Sequence, residues 1–181
     1  MKRQGLAAIT AATALLGAGA SAADKMLAPV PEALWAPAGQ TLALAAHATG
    51  VQIYECRPGK EPAHFEWAFK APEADLFDAA GKKIGKHYAG PTWESSDGSK
   101  VVGEVKARDD GPDVNAIPWL LLSAKSTSGS GVFARTASIQ RLQTVGGKAP
   151  AGGCTEAQAG QEVRVPYSAM YNFYAAAPDG R

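Results

Sequence analysis

Val51-Gln52-Ile53-Tyr54-Glu55-Cys56 alternates residue by residue, and short runs closed by turn-forming clusters occupy the chain from residue 42 to residue 174. A period of two sends successive side chains to opposite faces of a strand, so each run can bury one face and wet the other. Leu42, Leu44 and Ala46 make an earlier run, and Gly50 between the two reads as a hairpin. Trp67 and Phe69, two apart, share a face. Asp78-Ala79-Ala80-Gly81 marks a hairpin leading into a strand over 82–88. The cluster Ser95-Ser96-Asp97-Gly98-Ser99 marks another before a strand over 100–106, with Asp97-Gly98 suited to the positive φ of tight turns. Pro118-Trp119-Leu120-Leu121-Leu122 does not alternate, which predicts a strand buried on both faces. Residues 126–131 read as a flexible loop, and 132–145 as one long strand. In the last stretch, 162–174, Pro166 and the aromatic content favour a strand over a helix, with Tyr167, Tyr171 and Phe173 on one face. No helical period appears anywhere. The chain is therefore expected to be all-β, an antiparallel sandwich or barrel of about eight to ten strands.

The start of the chain predicts export. Lys2 and Arg3 precede an uncharged Ala- and Leu-rich run, and Ala18-Gly19-Ala20 or Ala20-Ser21-Ala22 offers the small-x-small pattern of a signal-peptidase site. The run is too weakly apolar for a retained anchor, and Pro29 and Pro31 follow closely. The expected organisation is a signal peptide over 1–23, an irregular arm over 24–40, a single β domain over 41–176 and a tail over 177–181. The destination is the periplasm or the medium, with no membrane insertion after cleavage. Lys and Arg number 18 against 17 Asp and Glu, and loss of Lys2 and Arg3 turns the balance slightly negative. So neutral a chain has no electrostatic reason to bind nucleic acid. Its two cysteines, Cys56 and Cys154, are expected to pair in an oxidising compartment. Closing a loop of about 100 residues is worth about 4.7 kcal/mol in the chain-entropy account.

Several strings carry a family resemblance: VQIYEC at 51–56, HYAGPTWE at 87–94, DGS at 97–99, PWLLL at 118–122, IQRLQTVGGKAP at 139–150 and YSAMY at 167–171. Over roughly residues 30 to 175 the chain resembles an uncharacterised family of secreted bacterial and fungal proteins whose domain has no assigned function. The resemblance implies a single exported domain with a similar cysteine pair, and no reaction.

The candidate chemistry is sparse. His87 lies in a segment dense in glycine, proline and rings, and Glu94 is a possible partner in an acid–base pair. Tyr54, Tyr88 and Trp93 are the preferred members of a ligand-binding aromatic set. Arg141, between Ile139 and Leu142, reads as a structural partner for Glu94 or Glu55, with an anion anchor as the alternative. His47, His64, His87 and Glu94 lack the spacing of a metal site, and Asp109, Asp110, Asp113 and Asn115 fail the calcium-loop pattern. No G-x-S-x-G or phosphate-binding loop is present, and no cofactor is expected. The expectation is a non-catalytic domain that binds a small molecule or glycan. The alternatives are an enzyme using His87 and Glu94, or a structural or interaction protein of the cell envelope.

Overall fold

In the computed structural model, residues 28–61 and 63–177 are described, so the expected leader lies outside them. Eight antiparallel strands follow one another around a closed barrel: β1 (Gln40–Pro58), β2 (Phe65–Phe77), β3 (Lys83–Tyr88), β4 (Thr92–Ser95), β5 (Lys100–Asp109), β6 (Trp119–Ser128), β7 (Thr136–Gly146) and β8 (Glu162–Ala176). β8 returns to pair with β1, so the sheet has no first or last strand. Closure removes the unpaired edges an open sheet would expose.

Side chains of contrasting size fill the interior. On β1, Ala46 and Ala48 face inward; opposite them, β8 sends in Tyr171 and Ala169, with Tyr167 and Phe173 on the same face. Small residues on one strand leave room for the rings of the next. Leu76, Val101, Phe133 and Ile139 complete a buried cluster around Trp93 and Phe173. Phe133, in the turn before β7, plugs the end at which β4 meets β5. The Ser99 hydroxyl accepts the Phe133 N–H (3.1 Å), and the Asp97 carboxylate accepts the Val132 N–H (2.9 Å) and the Ser99 hydroxyl (2.6 Å). Two turns far apart in sequence are thereby fastened together.

Gly50 is not a hairpin. β1 runs straight through it for 19 residues, because at Gly50 the backbone of β2 comes so close that a Cβ would meet the Glu73 carbonyl oxygen at 2.1 Å. The glycine serves close approach rather than a turn. The strand expected over 132–145 begins only at Thr136, since Phe133 is needed as the plug, and Ser126–Ser128 of the expected loop extend β6. The buried character of 118–122 has two sources. Leu120 and Leu122 face the interior, while Trp119 lies outside with Leu142, under the N-terminal residues: Leu34 is fully buried there and its carbonyl accepts the Gln140 amide at 2.6 Å.

Cys56, near the end of β1, is bonded to Cys154 in the β7–β8 connection, 98 residues away, with the Cα atoms 6.1 Å apart. The crosslink suits an oxidising compartment. No helix among the described residues is long and apolar enough to cross a membrane.

Candidate functional site

The site is a consequence of unequal strand lengths. β3 and β4 have 6 and 4 residues, against 13 in β2 and 10 in β5. β3 pairs with β2 only at residues 74–77, and β4 with β5 only at 100–102. Residues 65–73 and 103–109 therefore flank a notch with no strand between them. The β3–β4 turn at Gly90 and Pro91 forms its sill, Phe69 (54% exposed) and Val105 (52% exposed) stand at its sides, and Lys70 and Arg108 lie at the rim. Behind the notch is a cavity of about 530 Å³ reaching into the barrel.

The cavity wall is mainly apolar, with Trp93, Leu120, Leu122 and Tyr171 among its residues. Three polar side chains interrupt it within the barrel: Gln52 from β1, His87 from β3 and Arg141 from β7. Among the described residues no Asp or Glu lines it. The His87 ring stacks on Trp93, centroids 4.3 Å apart and planes 9° from parallel, with the edge of Tyr171 at 5.2 Å. His87 Nδ1 lies 2.8 Å from the Thr92 carbonyl oxygen, which can only accept, so Nδ1 carries the proton and Nε2 is left as an acceptor. Burial pushes the imidazole down to about 3, the Thr92 carbonyl opposes this, and the charge of Arg141 adds to it. The ring is neutral at physiological pH.

Arg141 Nε donates to the Pro118 carbonyl at 3.0 Å. Burial raises the hydroxyls of Tyr54, Tyr167 and Tyr171, and the Arg141 charge opposes the shift in each. Tyr54 donates to the Gly147 carbonyl at 2.6 Å, holding the β7–β8 connection over the barrel. Gln52 Nε2 and Trp93 Nε1 are buried without a well-formed hydrogen bond among the described residues. An orphaned buried donor costs about 1–3 kcal/mol.

The structure separates the residues singled out from the sequence. Tyr54, Trp93 and Arg141 line the cavity together with His87. Tyr88 does not: it faces outward, and its hydroxyl donates to Glu94 at 2.8 Å. The acid–base pair of His87 and Glu94 is not assembled. His87 sits opposite Trp93, and Glu94 opposite Lys86, so alternation sends the imidazole inward and the carboxylate outward to Tyr88, Lys86 and Lys100. The expected pairing of Arg141 with Glu94 or Glu55 is also absent, because Glu55 lies on the outer face with Arg57 and Lys70. Asp109 and Asp113 accept the N–H groups of Gly111 and Asn115 within their own loop, and Asp110 pairs with Arg108. Among the described residues no three of His, Cys, Asp and Glu converge as metal ligands would. Gln52 was missed. Its signal was available, as it shares the inward phase of Tyr54 in the alternating run, and an amide at a buried position asks for a partner.

Fold and site together define an antiparallel eight-stranded barrel with a side-opening, mainly apolar internal cavity. The profile of the DUF3455 family, described as a protein of unknown function, matches residues 37–175, and the chain belongs to that family. No curated protein and no solved structure gives a significant match.

Proposed function

We propose that this protein is a non-catalytic binding protein, working outside the cytoplasm, that holds one small and largely apolar molecule within its barrel. The observation that carries the reading is the cavity of about 530 Å³ behind the notch between β2 and β5. Its volume falls within the range of about 300–1,000 Å³ typical of small-molecule sites, and a few polar groups on an apolar wall match their usual composition. A glycan is disfavoured: Trp93 is 1% exposed, so its face is not an open stacking platform, and the wall has few groups to meet many hydroxyls. The disulfide and the basic, apolar start of the chain support an extracytoplasmic location.

Titration with a neutral apolar dye, N-phenyl-1-naphthylamine, tests the reading. One saturable site per chain is expected, with loss of binding in Leu120→Trp, which fills the cavity while circular dichroism reports an intact fold. Absence of saturable binding, or binding unaltered by the filled cavity, would reject the reading.

A further inference from the structure

Arg141 is the residue the apolar cavity does not explain. Its place in the register, opposite Leu120 on β6 and Tyr171 on β8, turns the side chain into the barrel. Its Nε donates to the Pro118 carbonyl, and the guanidinium also stands against the Tyr171 hydroxyl, whose rise in pKa it opposes by charge and hydrogen bonding; both partners are neutral, so the fork keeps room for a charged acceptor. None of the ion pairs among the described residues includes Arg141. The carboxylates nearest in sequence pattern, Glu55 and Glu94, are held on the outer surface by lysines and by Arg57 or Tyr88. Arg141 is partly buried, and a guanidinium that has lost part of its hydration without gaining a counter-charge is relieved by a partner carrying negative charge. A second observation points the same way. Gln52, 2% exposed and lining the same cavity, has an amide nitrogen with no well-formed hydrogen bond among the described residues, although it stands beside the Tyr167 hydroxyl and opposes its rise in pKa.

We propose that Arg141, assisted by the Gln52 amide, receives the anionic head group of the ligand, and that the ligand is a monocarboxylate on an apolar body. This rests on the reading of the barrel as a binding protein and goes beyond it by naming the ligand class. The planar fork of a guanidinium matches an oxyanion through two parallel hydrogen bonds. Lys70 and Arg108 at the rim are paired with Glu55, Glu162 and Asp110, so Arg141 inside the barrel balances one negative charge, which favours a carboxylate over a doubly charged phosphate monoester. The apolar body then lies against Leu120, with the notch beside Phe69 and Val105 as its entrance.

The test compares decanoate, decan-1-ol, decylammonium and decyl phosphate as competitors of N-phenyl-1-naphthylamine on the disulfide-bonded protein. Decanoate is expected to bind roughly tenfold or more tighter than decan-1-ol, since hydrogen bonds to a charged group are worth that much. Decylammonium should bind weakest and decyl phosphate more weakly than decanoate. Arg141→Gln should bring decanoate down to the affinity of decan-1-ol, and Arg141→Lys should keep part of the preference. Gln52→Leu offers a second, milder variant, and the comparison of head groups on the wild type needs no variant. Equal affinity of decanoate and decan-1-ol would overturn the head-group assignment while leaving the binding reading intact. Tightest binding of decyl phosphate would overturn the carboxylate. Failure of every competitor and of the dye itself would remove both proposals.

Discussion

His87 and Trp93 face each other across β3 and β4 inside the barrel, rings stacked 4.3 Å apart, while Glu94, the next residue, points to the outside. Lys86, His87, Tyr88, Trp93 and Glu94, on two short strands, are thus divided between the interior, where the cavity lies, and an outer surface that carries ion pairs. The division has measurable consequences.

The buried imidazole couples stability to pH. The folded value of His87 is about 3, below its ordinary 6.5, so between these values the unfolded chain binds more protons than the folded one. The contribution is complete above about pH 6.5 and is lost as pH falls toward 3. Thermal midpoints should drop over that window in the wild type and drop much less in His87→Phe. His87 imidazole chemical shifts, assigned by comparison with His87→Phe, that titrate near pH 6.5 in the folded protein would contradict this.

On the outer face, Glu94→Gln removes the charge that pairs with Lys86 and Lys100, leaves a neutral amide oxygen as acceptor for Tyr88, and does not touch the cavity. Exposed ion pairs are worth about 0–1 kcal/mol, so a urea midpoint should move little. Dye affinity should be unchanged. A large loss of binding in Glu94→Gln would mean that the two faces are not separate.

Asp97 ties the β4–β5 turn to the plug at Phe133. Its carboxyl is held down at about 2, first by the Ser99 hydroxyl and then by the N–H groups of Val132 and Ser99. The latch contributes above about pH 3.8 and is lost as pH falls toward 2. Asp97→Ala should lower the thermal midpoint at neutral pH and speed hydrogen exchange at the Val132 and Phe133 amides. Unchanged exchange at both amides would show that the plug does not depend on the latch.

The Cys56–Cys154 bond closes a loop with a sequence separation of 98. In the chain-entropy account a loop of about that length is worth about 4.7 kcal/mol. Cys56→Ser with Cys154→Ser should unfold at a lower urea concentration by a comparable free energy. The β7–β8 connection should loosen first, because Tyr54 to Gly147 then remains among its ties to the barrel. A midpoint equal to that of the oxidised protein would refute the prediction.

Much of the barrel was legible along the chain, because strand periodicity and turn chemistry are local. The hairpins at 78–81 and 95–99 and the inward face of Tyr167, Tyr171 and Phe173 depend on neighbours a few residues away, whereas the alternation expected over 51–56 is interrupted by a bulge between Ile53 and Tyr54. Gly98 adopts the positive φ, 86°, that the Asp97-Gly98 pair favours. Gly50 misled because a glycine suits both a turn and a close approach, and only the position of Glu73 on β2 distinguishes them. The cysteine pair followed from compartment and count rather than from geometry.

By itself the sequence determined that the chain is all-β, where most turns fall and which cysteines join, since these follow from period, composition and the chemistry of two thiols. Closure of β8 on β1, the notch left by short β3 and β4, and the separation of Arg141 from Glu55 and Glu94 were decided only by tertiary structure. The physical reason is register: a shift of one residue sends a side chain to the other face of a sheet, and register between distant strands is set by packing across the whole barrel.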